Sequence, residues 1–234
     1  MDISQTIIKP RILKDHALWV VATGDGICWV RFLPCKGPAR TLIDKLARIL
    51  GARKSPAGAS WAAGAKLGDM KCVRYLKKAS GEIVAYLKGK LRDFSVPLDL
   101  KVFGRRSAFD RKVWAALCKV PYGSVTTYGN LASRIGRRGA ARAVGAAVGR
   151  NPLPILIPCH RVVGRGGRLT GFSSGLPIKE ILLGIEGFRL SGAARMEDRR
   201  VLPAAPAGRP GRAARSAAGP TGRSRKPTRR GRLS

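Results

Sequence analysis

No apolar run in this sequence approaches the ~18 residues that a membrane-spanning helix needs; the longest near the start, "ALWVVA", is far too short. The N-terminus, "MDISQTIIKPRILKD", lacks the basic, apolar, small-residue order of a secretion signal. The expectation is a soluble, cytoplasmic protein, nucleoid-associated if its source is bacterial. Cysteine is sparse: Cys28, Cys35, Cys72, Cys118 and Cys159 contain no C-x-x-C pair, and their number is odd. Free thiols are therefore expected rather than a disulfide framework. Histidine is scarcer still, at His16 and His160 only. A zinc site from Cys28, Cys35 and His16 would fit no common ligand spacing, and scattered cysteines usually pack as small hydrophobes, so no metal is expected.

Acid is short as well. Thirteen Asp and Glu stand against 46 Lys and Arg, a net charge of +33. Twelve basic and two acidic residues in 191–234 leave +23 of that charge on residues 1–190, so the foldable part is itself basic. Phosphate contacts and counterion release make a polyanion the natural partner of such a surface. Arg-rich compositional drift would give the same sum.

What is present divides into two textures and a tail. "ALWVVATGDGICWVRFL" reads as a hairpin, with Leu18–Ala22 and Ile27–Leu33 flanking a turn at Thr23-Gly24-Asp25-Gly26. Leu42, Ile43, Leu46, Ile49 and Leu50 fall on one helical face. A Gly/Ala/Ser-rich loop over 51–65 follows. A longer helix then carries Met70, Val73, Leu76, Ile83, Val84 and Leu87 on one stripe, and "VPLDLKVFG" is a strand or an extended linker. Residues 1–100 are taken as a small α/β domain whose elements name no chemistry. Residues 101–190 form a second, helical domain. Residues 191–234 make a disordered basic tail, its last 34 residues rich in Pro, Gly, Ala and Ser without an apolar period.

In the second domain "SAFDRKVWAAL" opens on a capping-box pair, Ser107 and Asp110, with Phe109, Val113 and Leu117 inward and Trp114 beside them. "TTYGNLASRIG" predicts a short helix with Tyr128, Leu131, Ala132 and Ile135 inward and Gly136 as its stop. After the break "RRG", "AARAVGAAVGR" predicts another with Val144 and Val148 inward. Two short helices joined by a Gly-containing turn are the pattern of a helix-turn-helix. Ala140, Ala141, Gly145 and Ala146 give the second helix a face of tiny residues. Such a face suits close approach to a partner or tight helix packing equally. Basic neighbours at Arg134, Arg137, Arg138 and Arg150 favour DNA. "RVVGRGGRLTG" reads as a hairpin with a Gly-rich tip, like the wing of a winged helix. "LPIKEILLGIEG" closes the domain, with Pro177 in the first turn, Ile178, Ile181, Leu182 and Ile185 on one face, and Gly187 as the stop.

Between helix and wing stands "NPLPILIPCHRVVG", where Cys159 and His160 are adjacent in an apolar frame stiffened by Pro152, Pro154 and Pro158. A thiol near its free pKa of ~8.5 is a poor nucleophile at neutral pH until a base or a positive charge activates it. His160 and Arg161 are the candidate activators. Neighbours on a strand point to opposite faces, so a relay through water is more plausible than direct contact. Glu186 is the acid chosen to hold His160, because few acids lie C-terminal to the pair.

These segments resemble the C-terminal domain of the 6-O-alkylguanine-DNA alkyltransferases, the methylated-DNA–protein-cysteine methyltransferases. The resemblance runs from Phe109 to Gly187 and covers "FDRKVWAALCKVPYGSVTTYGNLA", "AARAVGAAVGRNPLPILIPCHRVVG" and "LTGFSSGLPIKEILLGIEG". It implies an α+β protein: a ribonuclease-H-like N-terminal α/β domain followed by a winged helix-turn-helix domain. It implies double-stranded DNA containing alkylated guanine as the partner, no cofactor, and a monomer. Cys159 would accept the alkyl group, with His160 as its base through water and Glu186 orienting His160. Arg142 would enter the duplex in place of a flipped nucleotide. Tyr128 would aid rotation of the target phosphate and donate a proton towards the leaving guanine, and Asn151 would buttress the turn joining helix to active site. Ala140, Ala141, Gly145, Thr127 and Arg150 would lie against the DNA, in the minor groove. Val162, Phe172, Ser173 and Pro154 would line the base pocket. The chain departs from the family at Ser174, where glycine is frequent, at Phe172, where tyrosine is common, in its basic tail, and in having no convincing N-terminal zinc ligands. Two other readings compete. A Cys-His hydrolase lacks a second plausible histidine. A non-catalytic winged-helix regulator does not need Cys159, His160, Tyr128, Arg142 and Glu186 together.

Overall fold

The computed structural model describes residues 3–13, 15–34, 70–101, 108–191 and 195–196. The predicted helix around Leu42–Leu50, the loop after it, Cys35, Ser107 and the basic tail other than Ser191, Arg195 and Met196 lie outside the described residues. Three strands, β1 (Ile3–Ile8), β2 (His16–Thr23) and β3 (Gly26–Pro34), form an antiparallel meander in that order. The hairpin is where the β-branched runs and turn residues placed it, with Val20 opposite Val30 and a bulge between Val21 and Ala22. β1 escaped the sequence reading, although Ile3, Thr6, Ile7 and Ile8 have strand character.

Position 26 at the turn must be glycine. Its φ is +152°, and a Cβ there would lie 2.5 Å from the Pro97 carbonyl oxygen. That close approach lets the Ile27 N–H donate to Pro97 O and the Asp99 N–H to Ile27 O, each at 2.8 Å. "VPLDL" is thus an extended segment joined to β3 by one parallel bridge, Ile27 to Leu98. Thr23 Oγ1 donates to the buried Asp99 carboxylate at 2.7 Å, which locks the turn.

Helix α1 (Met70–Leu87) packs on this sheet through Cys72, Leu76, Ala79, Ile83, Tyr86 and Leu87. The stripe differs from the predicted one: Met70 is 81% exposed and Val73 42%. The true face repeats at four- and three-residue steps from Cys72, using a small thiol and an alanine where the sequence reading counted larger side chains.

The C-terminal part begins with α2 (Ala108–Leu117), which buries Asp110, Val113, Trp114 and Leu117, with Phe109 half-buried. A two-residue strand β4 (Thr126–Thr127) leads into α3 (Tyr128–Arg134). Thr127 Oγ1 caps α3 by accepting from the Asn130 N–H at 3.1 Å. After Gly136 (φ +72°) comes α4 (Ala141–Gly149), buried at Val144, Ala147 and Val148. The Trp114 indole N–H donates to Ala147 O at 2.9 Å and pins α4 to α2.

In place of the expected hairpin wing, β5 (Val162–Val163) pairs in parallel with β4, and a 3-10 turn at Arg165–Gly167 follows. Gly166 and Gly167 both have positive φ, which folds the tip into a tight loop closed by Gly164 N–H to Arg168 O at 2.8 Å. Helix α5 (Leu176–Ile185) starts with Pro177 in its first turn and gives way to Gly187 at φ +85°. Strands β6 (Leu190–Ser191) and β7 (Arg195–Met196) form a short antiparallel pair, so the segment expected to be disordered from 191 begins with backbone-paired chain. One cluster of buried side chains runs from Leu18, Val20 and Val30 of the sheet, through Ile83 and Tyr86 of α1, to Trp114, Val144, Cys159 and Leu182. That continuity lets N-terminal residues reach the site below.

Candidate active site

The segment 151–158 is a tight, internally braced loop. Asn151 Nδ2 donates to Ile157 O at 2.9 Å, and Asn151 Oδ1 accepts from the Leu153 N–H at 3.0 Å. The Ile157 N–H closes the loop on Leu153 O at 2.7 Å. Ile155, a buried β-branched residue, sits at φ +75°. Such a conformation costs ~1–3 kcal/mol and persists only where its surroundings over-determine it. The β3 edge supplies a further brace, the Val30 N–H donating to Pro152 O at 2.9 Å.

Cys159, His160 and Arg161 form a 3-10 turn rather than a strand, closed by Arg161 N–H to Pro158 O at 3.1 Å. Three residues per turn send adjacent side chains about 120° apart. Cys159 and His160 therefore diverge, as expected, though for a different backbone reason.

The buried His160 Nε2 lies 2.8 Å from Glu186 Oε1. Arg161 turns to the same carboxylate, with Nε 3.0 Å from both oxygens and Nη2 2.9 Å from Oε1, while Nη1 donates to Val120 O at 2.6 Å. The guanidinium is thereby committed to Glu186 and does not serve as the expected activator of Cys159. The Gly123 N–H donates to Glu186 Oε2 at 3.1 Å, and the Tyr86 hydroxyl donates to Oε1 at 2.8 Å. Burial opposes ionisation of Glu186, but the hydrogen bonds and charges of His160 and Arg161 outweigh it and hold the carboxyl at about 2. Burial lowers the His160 pKa below its ordinary value, so the ring is neutral at physiological pH. With an ionised acceptor on Nε2, the proton sits there, and Nδ1 presents a lone pair with no partner among the described protein groups.

Burial pushes the Cys159 thiol up to about 11, against the opposing effects of a hydrogen bond with Asn151 and the charge of Lys179. Lys179 is fully buried on α5, its Nζ donating to Val162 O at 2.6 Å and Thr170 O at 2.9 Å. Burial pulls its ammonium down to about 8. The sequence reading missed both Lys179 and Tyr86. Lys179 and Leu183 of α5 and Glu186, which caps its C-terminal end, follow one another at i, i+4, i+7, a helical spacing that was available in the sequence.

The other expected residues divide. Tyr128 is half-buried at the start of α3, its hydroxyl 3.5 Å from Thr170 O, and burial first, then the Cys159 charge, raises its pKa, so it keeps its proton. Gly145 of α4 faces Tyr128: a Cβ there would stand 3.7 Å from the ring. Arg142 is exposed, and Ala140 and Ala141 are partly exposed. Thr127 caps α3. Arg150 grips the buried Asp110 with Nε to Oδ2 at 2.9 Å and Nη2 to Oδ1 at 2.6 Å, which ties the end of α4 to α2. Val162 and Pro154 are buried, Ser173 is exposed, and Phe172 meets Phe32 of β3 edge-on with centroids 6.4 Å apart. Of the considered zinc triplet, Cys28 is buried with its thiol on Val21 O. No group of three metal-ligating side chains occurs among the described residues.

Residues 108–188 match the family model described as 6-O-methylguanine DNA methyltransferase, DNA binding domain. Over 113 residues the chain is 47% identical to the methylated-DNA–protein-cysteine methyltransferase of Methanosarcina acetivorans, covering 48% of this chain and 70% of that one. The crystal structure of Mycobacterium tuberculosis 6-O-methylguanine methyltransferase superposes with a TM-score of 0.57 at 33% identity, over 79% of this chain and 92% of that one. The Mycobacterium tuberculosis OGT in complex with DNA gives 0.57 at 33% identity, over 78% and 92%. With a buried thiol beside a His–Glu pair on one side and these likenesses on the other, the chain belongs to the methylated-DNA–protein-cysteine methyltransferases.

Proposed function

We propose that the chain binds double-stranded DNA, flips out a 6-O-alkylguanine, chiefly 6-O-methylguanine, and transfers the alkyl group once and irreversibly to Cys159. Residues 1–100 would be the ribonuclease-H-like domain, 101–190 the winged helix-turn-helix domain with the tight loop at 164–168 in the wing's place, and 191–234 a basic tail, the whole acting as a monomer. The observation that carries the reading is the buried His160–Glu186 pair next to Cys159, with a bare Nδ1 able to accept a proton.

A base inside a duplex is out of reach, and extruding it costs a few kcal/mol. Arg142, exposed on α4, would occupy the space left behind, with Ala140, Ala141 and Gly145 allowing close approach of that helix. Thr127 and Arg150 would lie at its margins. Val162, Phe172, Ser173 and Pro154 would bound the base. The thiol proton passes through a water to His160 Nδ1. Sγ then forms a bond to the alkyl carbon as the carbon–O6 bond breaks and its electron pair goes to the guanine. Tyr128, still protonated, supplies a proton to the leaving base. The thioether is stable, so one chain removes one alkyl group, and no step calls for a cofactor. The test is to incubate the protein with duplex DNA carrying 6-O-methylguanine and weigh its peptides. One added methyl on Cys159, saturating at one equivalent and absent in Cys159→Ala, is expected. Tight DNA binding with an unmodified Cys159 peptide would favour a regulator instead.

A further inference from the structure

We infer that Tyr86, supplied by α1 of the N-terminal part, is a positioning residue for alkyl transfer: its hydroxyl fixes the Glu186 carboxylate that orients His160. This rests on the reading of Cys159 and His160 given above and extends the working site to a helix that reading leaves out.

Tyr86 is fully buried. Its ring is held by Phe94 (centroids 5.4 Å apart) and by Tyr122 edge-on (6.2 Å). So anchored, the hydroxyl reaches 2.8 Å from Glu186 Oε1 and 3.1 Å from His160 Nε2. It is a third residue on the oxygen that also receives His160 and Arg161. A buried tyrosine hydroxyl needs a partner, but packing alone does not require that partner to be the carboxylate paired with His160. The charged and titratable groups around the imidazole are Glu186, following α5; Arg161 and Cys159 on its own turn; Lys179 of α5; Tyr122 before β4; and Tyr86 of α1. Among them Tyr86 is the hydroxyl that bridges base and acid.

The consequence has a sign. By donating to Oε1 the hydroxyl draws off part of the carboxylate's basicity. In Tyr86→Phe that oxygen loses a donor, Glu186 stabilises the imidazolium more strongly, and His160 must be deprotonated at higher pH before it can take the thiol proton. The charge-assisted bond to Oε1 is shorter than the approach to Nε2, so its loss dominates.

Single-turnover transfer from 6-O-methylguanine DNA, measured across pH with the full-length protein, tests this. For Tyr86→Phe a slower reaction is expected, with the acid limb of the pH–rate profile moved to higher pH and DNA affinity unchanged. Nitrogen-15 spectra of the His160 ring should show the same upward shift in titration, a readout that stands even if transfer becomes too slow to follow. A uniform drop with superimposable normalised profiles, an acid limb moved the other way, or an unmoved titration overturns the inference alone. Methyl transfer to a thiol other than Cys159 in the unsubstituted protein overturns it together with the site reading.

Discussion

At the scale of single residues the site is a problem of protons. Burial holds Cys159 at about 11, so at neutral pH the proposed nucleophile exists as a thiol and needs an acceptor. Burial keeps His160 neutral despite Glu186 beside it, which is the state an acceptor must be in. Glu186 stays ionised because Arg161 and the Gly123 N–H also hold it, and a buried carboxylate without such partners would neutralise. The expected result for His160→Ala is transfer slowed by ~10²-fold or more at pH 7, the usual contribution of a positioned base. The variant's rate should then climb about tenfold per pH unit, tracking the thiolate fraction of a group that titrates near 11, while the parent's rate levels off. Quench-flow transfer assays between pH 6 and 9 compare the two slopes, and parallel profiles would remove His160 from the proton path.

At the scale of elements, connections hold the site. α4 is fastened to α2 twice over its last turn, by Trp114 to Ala147 O and by the Arg150–Asp110 fork. Arg150 was expected at the DNA. Its two-pronged bond to a carboxylate that is 3% exposed gives it a structural task first. Arg150→Lys keeps the charge but loses the fork. It should cost ~1.5–3 kcal/mol by thermal unfolding, the range for hydrogen bonds to charged groups, with DNA affinity changed by less than threefold. The reverse balance would return Arg150 to the DNA interface. How much of this was legible follows from the range of each interaction. The β2–β3 hairpin and α2 to α5 announce themselves through local periodicity, caps and prolines, whereas the Cys159–His160 turn was expected as a strand. The choice of Glu186 for His160 was readable because acids are few. Tyr86 was not, since it meets Glu186 across 100 positions and on its own helix looks like one more core aromatic. The face of α1 was misread because its inner positions include Cys72 and Ala79, which carry little hydrophobic weight. The wing became a tight loop because two consecutive glycines at 166 and 167 take positive φ.

At the scale of the whole molecule, charge and chemistry are separable. The site is buried and its charges are few and internally paired around Glu186, whereas the +33 net charge is spread over the chain, including nine basic residues and no acid in 201–234. Each phosphate neutralised by Lys or Arg releases counterions and steepens the fall of affinity with salt by ~0.9 per contact. A chain without residues 201–234 should therefore show a shallower plot of log affinity against log salt. It should bind more weakly at 50 mM salt and nearly equal the full chain at 300 mM, where exposed charges are screened. The groups that act on the thiol, Asn151, His160 and Lys179, all belong to other parts of the chain, so at saturating DNA the single-turnover rate should be the same for both forms. Titration by fluorescence anisotropy at four salt concentrations gives the slopes, and a transfer assay at saturation gives the rate. Equal slopes would mean the tail does not meet phosphate. A slower saturated rate would mean that it touches the reacting complex, and charge and chemistry would then be coupled through a segment whose composition suggests only electrostatics.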